Sequence, residues 1–351
     1  MKFGYFTLTD NPAGYGSKRQ DPNRLLLNVM EECLHAEAIG LNSVWLPEHH
    51  FGLFGCMPTP SVFLAHLAAR TQRVKLAPGT VVLPCNHPLR VAEEFASLDL
   101  VSQGRVVFSA GRGYDKREYD AFGIPFEESR ERFDEEMEII KKAWSEEVFT
   151  FKGKFFQFDE PVSVLPRPVQ KPYPPIYVAC WSKPTMELAA RLGLHAIFAP
   201  SAAAMMFGGV GEAVAFHRER AAAAGYPGVR AKCSYFVAVA DSPAETLKAK
   251  ERLILYLRSV IPAFPGDRAK APPHIAYFVE IVERLLTMQP AELGDRSIIT
   301  GSAEERIASL KKVEAAGIEE VICYFNFGAH PHAETMKMMD RFVREVAPHF
   351  K

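Results

Sequence analysis

Runs of β-branched and apolar residues alternate with helical patterns along almost the whole sequence, and this alternation limits the possible folds more than any other feature. Eight short runs have the character of strands, and segments with apolar residues at helical spacing follow them. The predicted strands are residues 2–8, 43–46, 74–83, 105–110, 176–180, 195–199, 233–240 and 320–325. The main predicted helices are residues 23–39, 60–70, 89–101, 127–146, 184–192, 211–224, 243–258, 302–316 and 334–346.

About eight strand–helix units in 351 residues predict an α/β fold of the TIM (β/α)8 barrel type. A doubly wound sheet is the main alternative, but no G-x-G-x-x-G motif follows the first strand. Two segments interrupt the alternation. Residues 149–175, after strand four, begin with a Phe-rich β-hairpin pattern, and residues 261–297, after strand seven, are Pro-rich, contain a helical piece at 275–288 and are expected to form a mobile lid. Because composition does not shift along the chain, residues 1–351 are predicted to form one domain.

The composition argues against several classes of partner and activity. A net charge of −1 disfavours nucleic acid or an anionic membrane as the main partner. No apolar run is long enough to span a bilayer, and a strand pattern begins at residue 2, so no signal peptide is expected. The six cysteines are scattered, which predicts reduced thiols in a cytoplasmic protein and no metal site. Metalloprotease, serine hydrolase and P-loop motifs are absent.

The residues best suited to chemistry follow the predicted strands, where the active site of a TIM barrel lies. Glu48, His49 and His50 follow strand two. Because neighbouring side chains on an extended segment point to opposite faces, only one of the two imidazoles is expected to face the site. A buried structural histidine is the simpler interpretation of either one taken alone. The other candidates at this end are Asn86, His87, Gly111, Arg112, Gly113, Trp181, Ser182 and Asn326.

Several of these candidates suit a phosphate group. Arg112 lies between two glycines, where the backbone can approach a ligand and a guanidinium can bind phosphate in a bidentate manner. Ser182 and Thr185 stand at the start of a helix, whose first N–H groups can bind an anion. Arg130 is expected to reach the same region. Ser182 could instead serve only as an N-cap, and Arg130 could be a solvated charge on a helix face. The occurrence of all these residues after neighbouring strands favours a phosphate-bearing cofactor.

Five runs of the sequence resemble, in order, the bacterial luciferase-like flavin monooxygenases: VWLPEHHF at residues 44–51, VVLPCNHPLR at 81–90, GRGYDK at 111–116, SR at 129–130 and IYVA at 176–179. The resemblance covers nearly the whole chain. It implies a TIM barrel with an insertion, and reduced FMN (FMNH2) used together with O2. It also implies a separate NAD(P)H:flavin reductase as the source of FMNH2, and a homodimer packed through the helices after strands two and three. The small organic substrate, an aldehyde or another apolar compound, stays open.

By the same resemblance, His49 corresponds to the catalytic histidine, which handles protons around the flavin C4a-hydroperoxide. His50 and His87 correspond to the histidines that accompany it. An imidazole that titrates near neutral pH suits this role. A closed, dry pocket would protect such an adduct from water.

The resemblance also gives the residues expected at the cofactor. Gly111 stands where luciferase has a cysteine beside the flavin ring, and Trp181 where it has an acidic residue near the phosphate. Asn326 stands where it has a glutamate near the histidine, so light emission is not expected. The predicted cofactor-binding residues are Gly111, Arg112, Arg130, Trp181, Ser182 and Thr185. The residues expected to line the pocket, with ordinary core packing as the alternative, are Phe51, Phe54, Met57, Met205, Met206 and Phe207.

Two other functions stay open from the sequence. The first is hydride transfer with the deazaflavin F420, which occurs in the same superfamily. The second is flavin binding without turnover. Binding titrations with FMN and with F420 distinguish hydride transfer from monooxygenation. Loss of oxygen-dependent product in His49→Ala would distinguish monooxygenation from flavin binding without turnover.

Overall fold

The computed structural model describes residues 1–264 and 277–350. The strands in these ranges are β1 Lys2–Phe6, β2 Ser43–Leu46, β3 Lys75–Pro78, β4 Val81–Val82, β5 Phe108–Gly111, β6 Phe149–Lys152, β7 Gln157–Val162, β8 Ile176–Ala179, β9 His195–Phe198, β10 Ala231–Val237, β11 Ile298–Ile299 and β12 Glu320–Tyr324. The helices in the same ranges are α1 Pro22–Ala38, α2 Pro60–Arg70, α3 Pro88–Val101, α4 Lys116–Phe122, α5 Ser129–Ser145, α6 Lys183–Arg191, α7 Pro200–Phe207, α8 Val210–Ala223, α9 Pro243–Ser259, α10 Tyr277–Thr287, α11 Ala303–Ala315 and α12 His332–Glu345.

The main sheet is parallel and closes on itself. Its strand order is β3-β2-β1-β12-β10-β9-β8-β5-β4, with β11 beside β10. Leu76 in β3 donates its N–H to the Arg105 carbonyl and accepts the N–H of Val107, both at 3.0 Å, so β3 meets the segment that leads into β5. The barrel strands are therefore β1, β2, β3, β5, β8, β9, β10 and β12, with helices between them along the chain. The predicted TIM barrel is confirmed.

The strand predicted at residues 74–83 is wrong as a single element. It consists of β3, which pairs with β2, and β4, which pairs with β5. Most residues of both pieces are buried, and only Gly79 and Thr80 separate them, so the sequence pattern predicted one strand. A pattern of buried residues does not specify which strand a segment pairs with. The change of partner from β2 to β5 is set by the tertiary structure. The sequence also gave no sign of α7, a short helix after β9.

A paired polar cluster lies at the end of the barrel where the strands begin. Glu320 accepts hydrogen bonds from Ser43 Oγ at 2.5 Å, from Asn42 Nδ2 at 2.9 Å and from Lys232 Nζ. The Lys232 ammonium also lies 5.6 Å from the centroid of the Trp45 ring. Charges are tolerated in a core when they are paired in this way. The candidate catalytic side chains all follow the other ends of the strands.

The hairpin insertion lies where it was predicted, and the lid at residues 261–297 stays a prediction. The strands β6 and β7 form an antiparallel hairpin after barrel strand β5. The predicted lid, residues 261–297, contains a 3-10 turn at Ile261–Ala263 and the helix α10, whereas its residues 265–276 lie outside the described residues. No helix within the described ranges has the length and apolar character needed to cross a membrane. The assignment of the whole chain to one domain stays a prediction.

Candidate active site

Three loops meet at the end of the barrel where the strands finish. The strands β5 and β8 are parallel neighbours in which Ala110 pairs with Val178, so the loops after them start side by side. The loop after β2 reaches α4, the helix that follows β5, through hydrogen bonds to Glu118. Because all barrel strands end at one rim, residues far apart in sequence come together there.

His49 forms a buried pair with Glu118. Its Nδ1 lies 3.3 Å from Glu118 Oε1, and the same oxygen accepts the backbone N–H of His50 at 2.8 Å. Burial alone would raise the pKa of Glu118, but the hydrogen bonds and charge of the two histidines hold that pKa below its ordinary value. An ionised carboxylate can only accept, so Nδ1 of a neutral His49 carries the proton and Nε2 keeps a lone pair. Within the described residues Nε2 has no hydrogen-bond partner, which makes it the atom able to take a proton from a ligand.

His50 engages a different carboxylate. Its Nε2 lies 2.9 Å from Glu48 Oε1, and Glu48 also accepts the N–H of Val82 at 3.0 Å and Asn86 Nδ2 at 2.7 Å. The His50 ring packs edge-on against Phe122 at 4.8 Å. The two neighbouring imidazoles thus have separate partners, and the contacts of His50 connect the loops after β2 and β3 to α4.

His87 lies apart from these two histidines. It is the N-cap of α3, where its Nδ1 accepts the N–H of Leu89 at 3.3 Å. Its ring packs against Phe156 and Phe158 of the hairpin, at centroid distances of 5.5 Å and 6.4 Å. Partial burial lowers its pKa. In the part of the chain that the structure describes, no hydrogen bond or ring contact joins His87 to His49.

Two arginines lie near the start of α5. Arg112 Nη1 donates to Ser129 Oγ at 3.1 Å, and its guanidinium lies 5.8 Å from the centroid of the Phe126 ring. Arg130, the next residue after Ser129, is half-buried. The structure therefore brings the two predicted phosphate ligands into the same region.

The start of α6 carries the two predicted hydroxyl groups. Ser182 is the N-cap residue, and its Oγ lies 3.0 Å from Thr185 Oγ1 rather than bonding a backbone N–H. The first turn of the helix is left without a side-chain cap. Such a turn, with the hydroxyl of Ser182 in front of it and that of Thr185 within it, has donors for an anion, although Pro184 contributes no N–H.

Trp181 stacks on a residue of the neighbouring loop. Its ring lies 5.9 Å from that of Tyr114 with an interplanar angle of 17°, and Tyr114 stacks in turn on Phe264 at 5.1 Å and 16°. Trp181 remains 39% exposed. The stack joins the loop after β8 to the loop after β5, so the indole has a packing role and still presents surface to the site.

Gly111 is held close to the loop after β3. A Cβ atom at this position would lie 2.6 Å from Thr80 Oγ1, closer than side-chain contacts permit. The glycine is therefore required by the protein's own packing.

Two residues at this rim were not found from the sequence, Tyr256 on α9 and Asp10 after β1. Phe54, which was predicted to line the pocket, contacts the His49 ring at 4.7 Å and the Tyr256 ring at 5.9 Å, so an aromatic row leads from His49 towards α9. Asp10, after β1, is buried and accepts hydrogen bonds from the hydroxyls of Tyr15 and Tyr324. The only sequence signal for Asp10 is its position after a barrel strand, which it shares with many structural residues.

Asn326 lies in a polar cluster with Tyr5 and Glu32. Its Nδ2 donates to Tyr5 Oη at 3.0 Å and to Glu32 Oε2 at 2.9 Å. Glu32 also pairs with His332. An acidic side chain from α1 thus lies beside the asparagine that stands in place of luciferase's glutamate.

The residues predicted to line the pocket divide into two sets. Phe54 and Met57 are buried at the rim, whereas Phe51 is 57% exposed and packs on Phe122. The other set lies on α7, where Met205 is exposed and Phe207 packs against Phe216 of α8 at 5.3 Å. Of the predicted lining residues, Phe54 and Met57 lie beside His49.

A family model described as luciferase-like monooxygenase matches residues 1–320. The chain belongs to this family. It is 34% identical over 199 residues to the alkanal monooxygenase alpha chain of Photorhabdus laumondii subsp. laumondii, covering 56% of this chain and 53% of that protein. It is 33% identical over 186 residues to the oxygenase component of the flavin-dependent trigonelline monooxygenase of Acinetobacter baylyi, covering 52% and 51%. The matches thus span about half the length of these curated relatives.

The solved structures extend the likeness to the whole chain. The monooxygenase RslO1 of Streptomyces bottropensis superimposes with a TM-score of 0.82 at 28% identity over 100% of both chains. The oxygenating constituent of 3,6-diketocamphane monooxygenase of Pseudomonas putida, in complex with FMN, has a TM-score of 0.77 at 19% identity, covering 99% of this chain and 98% of that one. An F420-dependent secondary alcohol dehydrogenase has a TM-score of 0.75 at 18% identity, covering 100% and 99%. The last two likenesses concern the fold alone.

Proposed function

We propose that this protein is an FMNH2- and O2-dependent monooxygenase that acts on a small organic substrate. The observation that carries the proposal is the meeting of three loops at one rim: His49 pairs with Glu118 after β5, and Tyr114 of that same loop stacks on Trp181 after β8. In this arrangement His49 would supply a proton-accepting imidazole, and Arg112 and the first turn of α6 would supply anion donors at the same end of the barrel. Membership of the luciferase-like family supports the same reading.

The residues at this rim fit FMN. The guanidinium of Arg112, the side chain of Arg130 and the hydroxyls of Ser182 and Thr185 would hold the phosphate, together with the first turn of α6. The backbone at Gly111 has no side chain and would let the flavin ring approach. When bound, reduced flavin supplies the electrons that activate O2.

The role proposed for His49 follows from its pairing. With Nδ1 directed at the ionised Glu118, Nε2 can accept a proton and the resulting imidazolium is stabilised by the carboxylate. His50 would act indirectly, by holding the loop through Glu48. The contacts of His87 with the hairpin give it no part in this proposal.

The partners proposed are a separate flavin reductase and a second copy of the chain. The reductase follows from the need for FMNH2, since a relative named as an oxygenase component is part of such a system. The dimer would pack through α2 and α3, which expose Val62, Leu100 and Val101 at 63%, 49% and 61%. We also place the protein in the cytoplasm, because the six cysteines are free.

The test is turnover by His49→Ala with FMNH2, O2 and candidate substrates. We expect the variant to bind FMN like the wild type and to lose oxygenated product by about 10²- to 10⁴-fold, the usual contribution of general acid–base catalysis. His349→Ala, the same substitution at an exposed histidine after α12, is the control and should retain activity. Equal product formation by wild type and His49→Ala would contradict the proposal.

The main alternative, hydride transfer with F420, is tested by titration of both cofactors. Tight binding of F420 with no binding of FMN would replace monooxygenation by hydride transfer. Binding of FMN without any oxygen-dependent product would leave a flavin-binding protein.

A further inference from the structure

Arg252 on α9 is a partly buried cation, and part of its hydrogen-bonding capacity is not used. Its Nε and Nη2 atoms are buried without a hydrogen-bond partner, and no carboxylate of the described residues forms an ion pair with it. Burial lowers its pKa to about 10, which still leaves it charged at neutral pH. A buried charge without a partner is costly for a fold. Its presence therefore indicates a partner that arrives with a ligand.

The guanidinium is held in place by the loop after β12. Its Cζ lies 4.3 Å from the centroid of the Phe327 ring, a distance suited to a cation–π contact. The next residue, Gly328, packs directly on Arg252, because a Cβ atom there would lie 2.7 Å from Arg252 Cγ. The charged group thus has a fixed position, which is what recognition of a ligand requires.

Asp10, whose charge acts on Arg252 through space, already has other partners. It accepts hydrogen bonds from the hydroxyls of Tyr15 and Tyr324 and from the N–H of Gly328 at 3.1 Å. Burial raises the pKa of Asp10 to about 6, so this carboxyl is protonated more readily than an ordinary aspartate. Asp10 is thus satisfied without Arg252, and the guanidinium is left for another anion.

The surroundings of Arg252 are aromatic and lead to His49. Tyr256 follows Arg252 by one helical turn and lies on the same side of α9. The Tyr256 ring packs against Phe236 at 5.0 Å and against Phe54 at 5.9 Å, and Phe54 contacts the His49 ring at 4.7 Å. A row of rings with a cation at one end and a proton acceptor at the other suits a flat apolar molecule that carries one anionic group.

This position is formed by other strands than the proposed phosphate site. Arg112 follows β5, and Phe327 follows β12, which lies opposite β5 in the ring of strands. Arg252 follows β10, which β9 separates from β8 and Ser182. A cofactor whose phosphate lies at Arg112 would leave Arg252 to the substrate.

We propose that Arg252 binds the carboxylate of the substrate, and that the substrate is a small aromatic carboxylic acid whose ring lies along Phe54, Phe236 and Tyr256. The substrate role rests on the function proposed above. A guanidinium offers two parallel N–H donors that match a carboxylate, and in a buried site this pairing is selective against a neutral amide.

The test is titration of the protein with benzoate, benzamide and phenyl phosphate, with each binding affinity measured by calorimetry. Benzoate and benzamide share size and ring and differ in charge. We expect the wild type to bind benzoate at least about ten-fold more tightly than benzamide, since a hydrogen bond to a charged group contributes enough for that ratio. Tighter binding of phenyl phosphate than of benzoate, lost in Arg252→Gln, would overturn the assignment to a carboxylate.

Variants locate the binding. Arg252→Gln should abolish the preference for benzoate, whereas Arg252→Lys should retain part of it. Arg220→Gln is the matched control, because Arg220 also lies over a phenylalanine ring, 5.3 Å from Phe216, but is exposed on α8. The preference should survive in Arg220→Gln. Its survival in Arg252→Gln, or its absence in the wild type, would overturn the proposal.

The melting temperature shows whether Arg252 has a structural role instead. Loss of an unpaired buried charge should leave the melting temperature of Arg252→Gln unchanged or raise it, because function and stability are in conflict at such a position. A clear fall would mean that the guanidinium supports the fold, against the proposal.

These titrations use neither FMNH2 nor O2, so they separate the two proposals. Oxygen-dependent turnover without a preference for benzoate would overturn the carboxylate site alone. A preference for benzoate that depends on Arg252, in a protein without FMNH2-dependent turnover, would support the anion site and contradict the monooxygenase.

Discussion

At the scale of single residues, the chemistry depends on partners that come from distant parts of the chain. His49 was identified from its sequence context, but the residue that fixes its tautomer, Glu118, lies on α4 and carries no motif of its own. In the same way, Gly111 is required by Thr80 of another loop. The sequence shows which residues are unusual, and the fold decides what each of them touches.

Glu118→Gln should lower kcat by at least about tenfold while FMN affinity stays unchanged, because the amide no longer stabilises the imidazolium of His49. The pKa of Glu118 is held below its ordinary value, so the wild-type carboxylate is ionised in the neutral range. Glu127→Gln, an exposed glutamate, is the control, and an unchanged kcat in Glu118→Gln would contradict the pairing.

Gly111→Ala should destabilise the protein by about 1–3 kcal/mol, because the added methyl group would overlap Thr80 Oγ1. Urea unfolding measures the change. The loss should be smaller when Thr80→Ala is combined with it, since the obstructing hydroxyl is then gone. Gly211→Ala, where the nearest atom lies 3.8 Å away, should show no such loss. An equal loss in the presence and absence of Thr80→Ala would show that the contact is not responsible.

At the scale of elements, features set by neighbouring residues were predictable and those set by distant pairing were not. The capping box of α11 follows from local sequence, and the structure shows both bonds, with Glu305 N–H to Ser302 Oγ at 3.3 Å and Ser302 N–H to Glu305 Oε2 at 2.7 Å. The division of residues 74–83 into β3 and β4 follows from pairing with different neighbours, which no local pattern records.

The packing of α1 against α12 is predicted to weaken as pH rises. His332 bonds Glu32 Oε1 at 2.8 Å through Nδ1 and Glu31 Oε2 at 3.1 Å through Nε2, and these carboxylates raise its pKa. The stability from the protonated ring is fully present below its unfolded pKa of about 6.5 and is lost as pH rises through the higher folded value. The effect should be about 1 kcal/mol or less, since the pair is partly exposed.

Urea unfolding of His332→Gln and of the wild type, at pH values from below about 6.5 to above the folded pKa of His332, measures the effect. The variant should lose the decline in the free energy of unfolding, whereas His66→Gln, an exposed histidine on α2, should keep it. A wild-type stability that does not fall over this range would show that the pair contributes nothing.

At the scale of the whole molecule, the exposed apolar side chains of α2 and α3 predict a dimer. Val62→Glu combined with Leu100→Glu should convert it to a monomer, because charges would be buried in the interface. Sedimentation equilibrium measures the change. Leu247→Glu, an equally exposed leucine on α9, should leave the assembly intact. A wild type that sediments as a monomer would refute the interface.

The sequence by itself determined the barrel, the hairpin insertion and the rim that carries the unusual residues, because strand and helix periodicities and loop chemistry are local properties of the chain. Only the tertiary structure decided that His49 pairs with Glu118, that His87 lies against the hairpin, and that Arg252 lies over Phe327. The physical reason is that closing a barrel brings together side chains from strands and helices far apart in sequence. Their pairing is governed by distance, burial and charge in three dimensions, which no periodicity along the chain encodes.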